Sequence, residues 1–301
     1  IKQVIMKDIR VAPSRVNITN RSYFRSVVDK QIDIGKKMYY FLATGNLVST
    51  SGLDLLQISG YTIVAEKLNI LRYLAHFRSV HRGSFFSDMK TTTVRKLLPE
   101  SYGFLCCVHT PDGAPCGLLS HITSSAIVCS KPEDTSQLLS VLLKLGMDAG
   151  GSAGNGALYY DNIPVMLGGK VMGGVHWESA KIFVDRLREL KVSNTLGVPK
   201  TMEIAYIPRL DDTSSPYPGI FLFVGAGRLY RPVKHLALNR TEMIGPLEQV
   251  YMDIALNDVI PKHATHAEIS AMNMLSYVAS LTPFSDMNQS PRNMYQCQMG
   301  K

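Results

Sequence analysis

The chain has 301 residues, 46% of them hydrophobic and 19% charged, which excludes an intrinsically disordered chain and predicts two or three domains. Lys plus Arg exceed Asp plus Glu by 32 − 24 = 8, a balance that suits a polyanionic partner without requiring one. The five cysteines, Cys106, Cys107, Cys116, Cys129 and Cys297, show neither an extracellular framework nor paired Cys-x-x-Cys spacing, so buried thiols in a reducing compartment are expected and a zinc site is not. No apolar run is long enough to cross a bilayer and no signal peptide is recognised, so no membrane partner is expected. The chain opens on Ile1 and stops inside a patterned segment, and a piece of a longer protein is expected.

Residues 21–41 repeat apolar side chains at helical spacing (Phe24, Val27, Val28, Ile32, Met38, Phe41) and predict one helix ending at Gly45. Residues 60–77 continue the pattern through Val64, Leu68, Leu71, Leu74 and Phe77 and predict a second helix. A basic loop follows. Between Arg78 and Lys96 stand five cations, Arg78, Arg82, Lys90, Arg95 and Lys96, against one anion, Asp88. Such a loop contacts phosphate backbone irrespective of sequence or is a solvated basic face. Phe85 and Phe86 within it stack on a base or, as the sequence favours, pack on the helix.

Residues 90–119, KTTTVRKLLPESYGFLCCVHTPDGAPCGLL, organise the chain. Tyr102 to Val108 reads as a strand. Thr110-Pro111-Asp112-Gly113 is a turn with a mechanism, since Pro presets φ and Gly accepts positive φ, and a second break at Pro115-Cys116-Gly117 follows at once. The two turns fix backbone amides and the Asp112 carboxylate at one spot.

Beyond Ser120, residues 136–145 predict a helix closed by Gly146. Residues 150–156 are glycine-rich, but no Gly-Lys-Ser/Thr follows, so a linker is favoured over a phosphate cradle. Residues 165–175 read as two strands around a glycine turn. Residues 177–190 form an amphipathic helix with Ile182, Phe183, Leu187 and Leu190 inward. Residues 203–207 and 220–224 are strands, and Asp211-Asp212 between them reads as solvated rather than metal-binding. In the last segment, Ser290-Pro291 caps and starts a helix that leaves Arg292 and Tyr295 one turn apart on a shared face. A guanidinium fork suits phosphate and a tyrosine ring suits a base, whereas a cap arginine would bond nearby carbonyls.

Three stretches carry a resemblance. Tyr102, Gly103, Cys106, Thr110, Pro111, Asp112, Gly113, Cys116, Gly117 and Leu118 fall on the fork pattern of the second-largest subunit of multisubunit RNA polymerases, and Val-His-Thr-Pro-Asp-Gly is most similar to the RNA polymerase I version. Cys107 and Tyr102 depart from it, where Pro and Trp are commoner. Residues 225–233, Gly-Ala-Gly-Arg-Leu-Tyr-Arg-Pro-Val, resemble the family's Ala-Gly-Arg-x-x-Arg-Pro strand pair. Residues 288–301, Asn-Gln-Ser-Pro-Arg-Asn-Met-Tyr-Gln-Cys-Gln-Met-Gly-Lys, resemble the signature that opens the hybrid-binding domain.

The resemblance implies an α+β multidomain segment of mixed helices and small sheets, ending at the start of a β-barrel. Its parts would be residues 1–45 from the protrusion and lobe, 46–125 as fork, 126–255 as external domains and 256–301 as the start of the hybrid-binding domain. It implies nucleotidyl transfer in RNA polymerase I, with ribosomal RNA as product, in the nucleus and nucleolus. Partners would be the largest subunit and other subunits, the DNA template, the RNA–DNA hybrid and ribonucleoside triphosphates. Mg2+ would be held mainly by the largest subunit, so no catalytic metal ligand is expected here. Gln289, Arg292 and Tyr295 would meet the nucleotide, Arg292 at its triphosphate. Arg78, Arg82, Lys90, Arg95, Lys96 and Asp112 would lie along nucleic acid, although the family often has a second arginine where this chain has Ser79. A polymerase II or III paralogue and a non-enzymatic basic nucleic-acid-binding module are the alternatives.

Overall fold

Capping side chains and left-handed residues decide where the helices of this chain begin and end. The computed structural model describes residues 1–29, 33–47, 57–149, 162–209, 217–256 and 260–301. These fall into two compact units, residues 1–65 with 82–90 and residues 66–81 with 91–301. The glycine-rich stretch 150–156 and the Asp211-Asp212 pair lie outside the described residues.

The first unit holds α1 (Lys2–Val11), α2 (Arg21–Asp29) and α3 (Ile34–Thr44). The single helix expected over residues 21–41 is therefore two. The Asp33 carboxylate accepts the Gly35 N–H at 2.8 Å and starts α3 afresh. The helix ends where expected, at Gly45 with φ 69°, whose N–H bonds Phe41 O at 2.7 Å. A side chain there would also collide with Thr62, since a Cβ on Gly45 falls 2.7 Å from its Oγ1.

In the second unit the helix expected over residues 60–77 is shorter, with α4 covering only Ile70–Phe77. Asn69 caps it by accepting the Arg72 N–H at 2.8 Å. Upstream, Gly60 at φ +79° and the β-branched run Thr62-Ile63-Val64 do not continue a helix. Strands β1 (Ser79–His81) and β2 (Leu119–His121) pair antiparallel, and β3 (Ile127–Val128) follows. The strand expected over residues 102–108 does not form. One bridge, Leu105 with Ile122, is all that pairs, because Gly103 turns at φ +81° with the Arg231 guanidinium on the side where a Cβ would fall.

A four-stranded sheet forms the largest core. Strands β4 (Asn162–Leu167) and β5 (Lys170–His176) make a hairpin through Gly168 and Gly169, both at positive φ, as the turn chemistry predicts. With β6 (Glu203–Ile207) and β7 (Gly219–Phe223) the order is β5-β4-β7-β6, where β4 and β7 are parallel and the other pairs antiparallel. Helices α5 (Leu138–Lys144) and α6 (Ala180–Ser193) bring Leu138, Leu142, Phe183 and Leu187 onto Val165, Ile204 and Leu222. Ile182, expected inward, is 58% exposed. Arg188 and Lys191 point inward with the core-facing residues instead.

Strand β8 (Leu229–His235) is the hub of a second sheet. It pairs with β9 (Arg240–Ile244), with β3, and through β11 (His266–Ala267) with β10 (Ile254–Ala255). Helices α7 (Pro246–Val250), α8 (Tyr277–Ser280) and α9 (Ser290–Met299) complete the unit. The architecture is mixed helix and small sheet, α+β as expected; β11 is the one strand among the described residues 260–301, which does not confirm the start of a barrel.

Buried charge joins the two sheets. Arg188 on α6 meets Glu242 of β9 at 2.6 Å and Glu248 of α7 at 3.1 Å, and Lys191 meets the same two at 3.0 and 3.1 Å. His266 Nε2 closes the group on Glu242 at 2.9 Å, and Glu248 accepts the Gly245 and Ile204 amides. Removing one partner strands buried carboxylates. Arg188→Met should therefore lower unfolding stability by about 3–5 kcal/mol. Urea unfolding followed by fluorescence of Trp177, the only tryptophan, measures this.

Burial opposes ionisation of Glu242, but Lys191, the His266 hydrogen bond and Arg188 outweigh it and hold the carboxyl well below its usual value of 4.5. A depressed folded-state pKa contributes stability above the unfolded value and loses it as pH falls. Glu203, raised by burial and by Glu248, contributes the opposite slope, so the comparison is between wild type and one variant. Between about pH 5 and pH 3 the stability of Glu242→Gln should fall less steeply than that of wild type.

Candidate nucleic-acid interface

Helix α9 carries the signature residues. Gln289 occupies the cap position, and neither its side chain nor that of Ser290 makes the cap hydrogen bond expected of Ser290; Pro291 fixes the first turn instead. Asn293 and Cys297 are buried, with Asn293 Nδ2 donating to Ser285 O at 2.7 Å, and this orients the helix. Gln289, Arg292 and Tyr295 are left exposed. The Arg292 guanidinium lies 5.9 Å from the Tyr295 ring centroid, and among the described residues it bonds no carbonyl or carboxylate. The cap-arginine alternative is not what the structure shows.

One turn beyond, Lys301 meets two histidines that sequence reading did not single out. Its Nζ lies 2.6 Å from His109 Nε2 and 3.4 Å from His121 Nε2. The two imidazoles stack with centroids 3.5 Å apart and planes 3° from parallel. His121 Nδ1 faces the His109 carbonyl at 3.1 Å, so this nitrogen carries the hydrogen. His109 Nδ1 lies 2.7 Å from Ser276 Oγ, which also accepts the Ala279 N–H at the start of α8. The His121 Nε2 lone pair thereby faces the lysine ammonium, and that of His109 does so in the tautomer whose Nδ1–H donates to Ser276 Oγ. Burial, His121 and Lys301 push His109 down to about 2, while burial and Lys301 push His121 down to about 4. Burial and then Arg72 bring Lys301 down to about 8. The only sequence signal was His109 standing next to the Thr-Pro-Asp-Gly turn.

That turn is built as expected but is held by a cation assigned elsewhere. Thr110 Oγ1 donates to Leu119 O at 2.8 Å and accepts the Gly117 N–H at 3.0 Å. Arg95 Nη1 reaches Ala114 O, and Cys116 O at 3.0 Å. Gly117 at φ +76° is required, since a Cβ would stand 2.3 Å from Arg95 O. Asp112 is exposed at the tip. Arg78 also faces inward, donating to Thr123 O at 2.6 Å and Ala126 O at 3.0 Å and lying 4.9 Å from the Tyr277 ring. Of the loop cations in this unit, Lys96 is the one left exposed.

Arg82 and Lys90 belong to the first unit and are exposed. There the Arg82 guanidinium lies over Phe86 at 4.5 Å, and Phe86 meets Phe85 edge-on at 5.6 Å. One further group resembles a metal site. Donor atoms of His235, Glu242 and His266 lie within 4.8 Å of one another. Glu242 is already engaged by Arg188, Lys191 and His266, and a divalent cation would face those two positive charges, so the donor set fits an ion-pair network.

Residues 63–128 match the family described as RNA polymerase Rpb2, domain 3, and residues 172–231 match RNA polymerase I, Rpa2 specific domain. DNA-directed RNA polymerase I subunit RPA135 of Saccharomyces cerevisiae is 49% identical over 99% of this chain and 25% of its own length. Subunit RPA2 of Neurospora crassa is 51% identical over 89% of the chain and 22% of its length, and that of Mus musculus 47% over 99% and 26%. The chain spans about a quarter of the curated relatives it matches. With two polymerase domains matched in order and near-half identity along its length, the chain belongs to the family of second-largest subunits of DNA-directed RNA polymerase, on the RNA polymerase I branch.

Proposed function

We propose that the chain forms part of the catalytic core of DNA-directed RNA polymerase I, where it positions the RNA–DNA hybrid and the incoming ribonucleoside triphosphate during ribosomal RNA synthesis. The observation that carries this reading is α9, in a chain 49% identical to an RNA polymerase I subunit. Among the described residues no carboxylate satisfies the guanidinium of Arg292, which α9 presents to solvent with Tyr295 and Gln289, and the amine of Lys301, just past the helix, meets two imidazoles. A preorganised cation without a protein anion is suited to phosphate.

Lys96 in one unit and Arg82 and Lys90 in the other supply exposed charge for the nucleic-acid backbone. Arg78 and Arg95 act one step back by holding the loops, and Asp112 marks the turn tip. Residues 1–45, 46–125, 126–255 and 256–301 correspond in this reading to the protrusion and lobe end, fork, external domains and hybrid-binding start. Mg2+ is held mainly by an aspartate triad on the largest subunit, the chief partner. When bound there it would supply the alignment of the RNA 3′ hydroxyl with the α-phosphate. The place of action is the nucleus, within it the nucleolus. These 301 residues alone synthesise no RNA in this reading, and templated extension by them would contradict it.

Negative charge gathers on the leaving pyrophosphate, and removing a charge-assisted hydrogen bond from such a site costs about 2–4 kcal/mol, so Arg292→Ala in the assembled enzyme should slow nucleotide addition roughly 30- to 1000-fold. Arg292→Lys restores charge without the fork and should recover only part. Single-nucleotide addition on stalled complexes, normalised to assembled enzyme, decides the matter. A rate within about twofold of wild type rejects the triphosphate role.

A further inference from the structure

We propose that the stacked pair His109–His121 is a seat for the Lys301 amine, making these two histidines positioning residues that tie the placement of Lys301 to the turn at residues 110–113. The proposal rests on the reading above in one respect, that the ligand toward which Lys301 is positioned is a phosphate of the RNA–DNA hybrid or nucleotide.

The geometry is specific. Each ring is oriented by a second partner on Nδ1, the Ser276 hydroxyl for His109 and the His109 carbonyl for His121, and each is left with its Nε2 toward one ammonium. Both rings are 2% exposed. The pocket beside them, bounded by Leu71, Leu74 and Val278 among others, measures about 30 Å³, which admits a water molecule but no nucleotide. The histidines are thus not themselves a ligand site. Ser276 and Ala279 belong to the start of α8, His121 ends β2 and Lys301 follows α9, so the seat is assembled from three elements and the turn segment.

The charged and titratable neighbours of Lys301 point the same way. Arg72 on α4 and the two histidines give it no anion, and the Cys297 thiol on α9, pushed up to about 12, is neutral beside it. His76 and Arg72 act on His121 in the same sense as Lys301, keeping the ring neutral and its lone pair available. A buried ammonium held by neutral acceptors keeps its charge for an incoming anion, whereas one paired to a carboxylate would have it neutralised.

The test uses the full-length subunit assembled into its polymerase. Acylation of Lys301 by an amine-directed reagent is followed against pH by mass spectrometry. In wild type the midpoint is expected near 8, where a solvated lysine titrates at 10.5. A wild-type midpoint at the solvated value overturns the seat. In His109→Phe or His121→Phe, which keep a stacked ring but remove the lone pair, the midpoint should rise toward 10.5 as the amine moves into water. In His109→Gln, which restores an acceptor, it should return toward wild type. A midpoint unchanged in both Phe variants overturns the proposal even if neither loses stability, and His109→Gln supplies the comparison if one Phe variant does not assemble.

A second measurement separates the seat from the ligand. Retention of an RNA–DNA hybrid is titrated with salt, and removal of one phosphate contact should flatten the slope by about one unit in the Phe variants. Shifted labelling with an unchanged salt slope would uphold the seat and reject phosphate as its target. Unshifted labelling rejects the seat whatever the slope.

Discussion

Arg231 is the constraint on which the second unit depends. It stands on β8, the strand that pairs on both sides, and is 2% exposed. Its fork takes both oxygens of Glu268 at 2.8 and 2.7 Å, its Nε donates to Gln249 at 2.7 Å, and its plane lies over Phe104 at 5.6 Å. Gln249 in turn donates to Tyr102 O at 2.9 Å. One guanidinium thus fixes the segment leading to the Thr-Pro-Asp-Gly turn, α7 and the approach to α8. Gly103 is glycine because that guanidinium occupies the space a side chain would need. A lysine at this position could not make the bidentate and stacked contacts together.

The positive balance of the chain is therefore divided between two uses. Arg188, Lys191 and Arg231 are buried against Glu242, Glu248 and Glu268, while Arg78 and Arg95 are bonded to backbone carbonyls. Such groups hold elements in register and carry little field outward, because their charge is met at contact distance. Lys96, Arg292 and, in the first unit, Lys90 remain at the surface, where an external polyanion can reach them. Counting cations along a loop cannot separate these roles. The chain segment from Arg78 to Lys96 shows why, since two of its five cations face carbonyls.

What was legible in the sequence was local. The Gly168-Gly169 hairpin, the end of α3 at Gly45, the turn at Asp112-Gly113 and the helix begun at Pro291 all follow from backbone preferences that act over a few residues. The misjudged elements were overridden by partners far away in the chain. Residues 102–108 have strand composition but are bent around Arg231, more than a hundred residues on. Arg188 and Lys191 looked like the polar face of an amphipathic helix, yet their acids come from β9 and α7. Cap chemistry explains the divided helix near Asp33 and the late start at Asn69; both residues carry the signal, but the apolar period ran through them. The motif match located α9 and the turn, but a pattern of residue types does not say which side chains face each other.

The Lys301 seat shows what that omission hides. His109 and Lys301 are 192 positions apart in sequence, and each sits in a different motif. Motif reading treats the two as separate features, one a turn and one a helix end. Their contact makes them one object. A neutral imidazole pair is a weak partner for an ammonium compared with a carboxylate, and it neutralises none of the charge. Placing such a pair at the base of the turn leaves a lysine whose position is fixed by the fork segment while its charge stays available. A carboxylate there would fix the position equally well and cancel the charge, and a solvated lysine would keep the charge and lose the position. Holding a cation in place for a phosphate requires both, and the stacked histidines are the arrangement among the described residues that meets the two demands together.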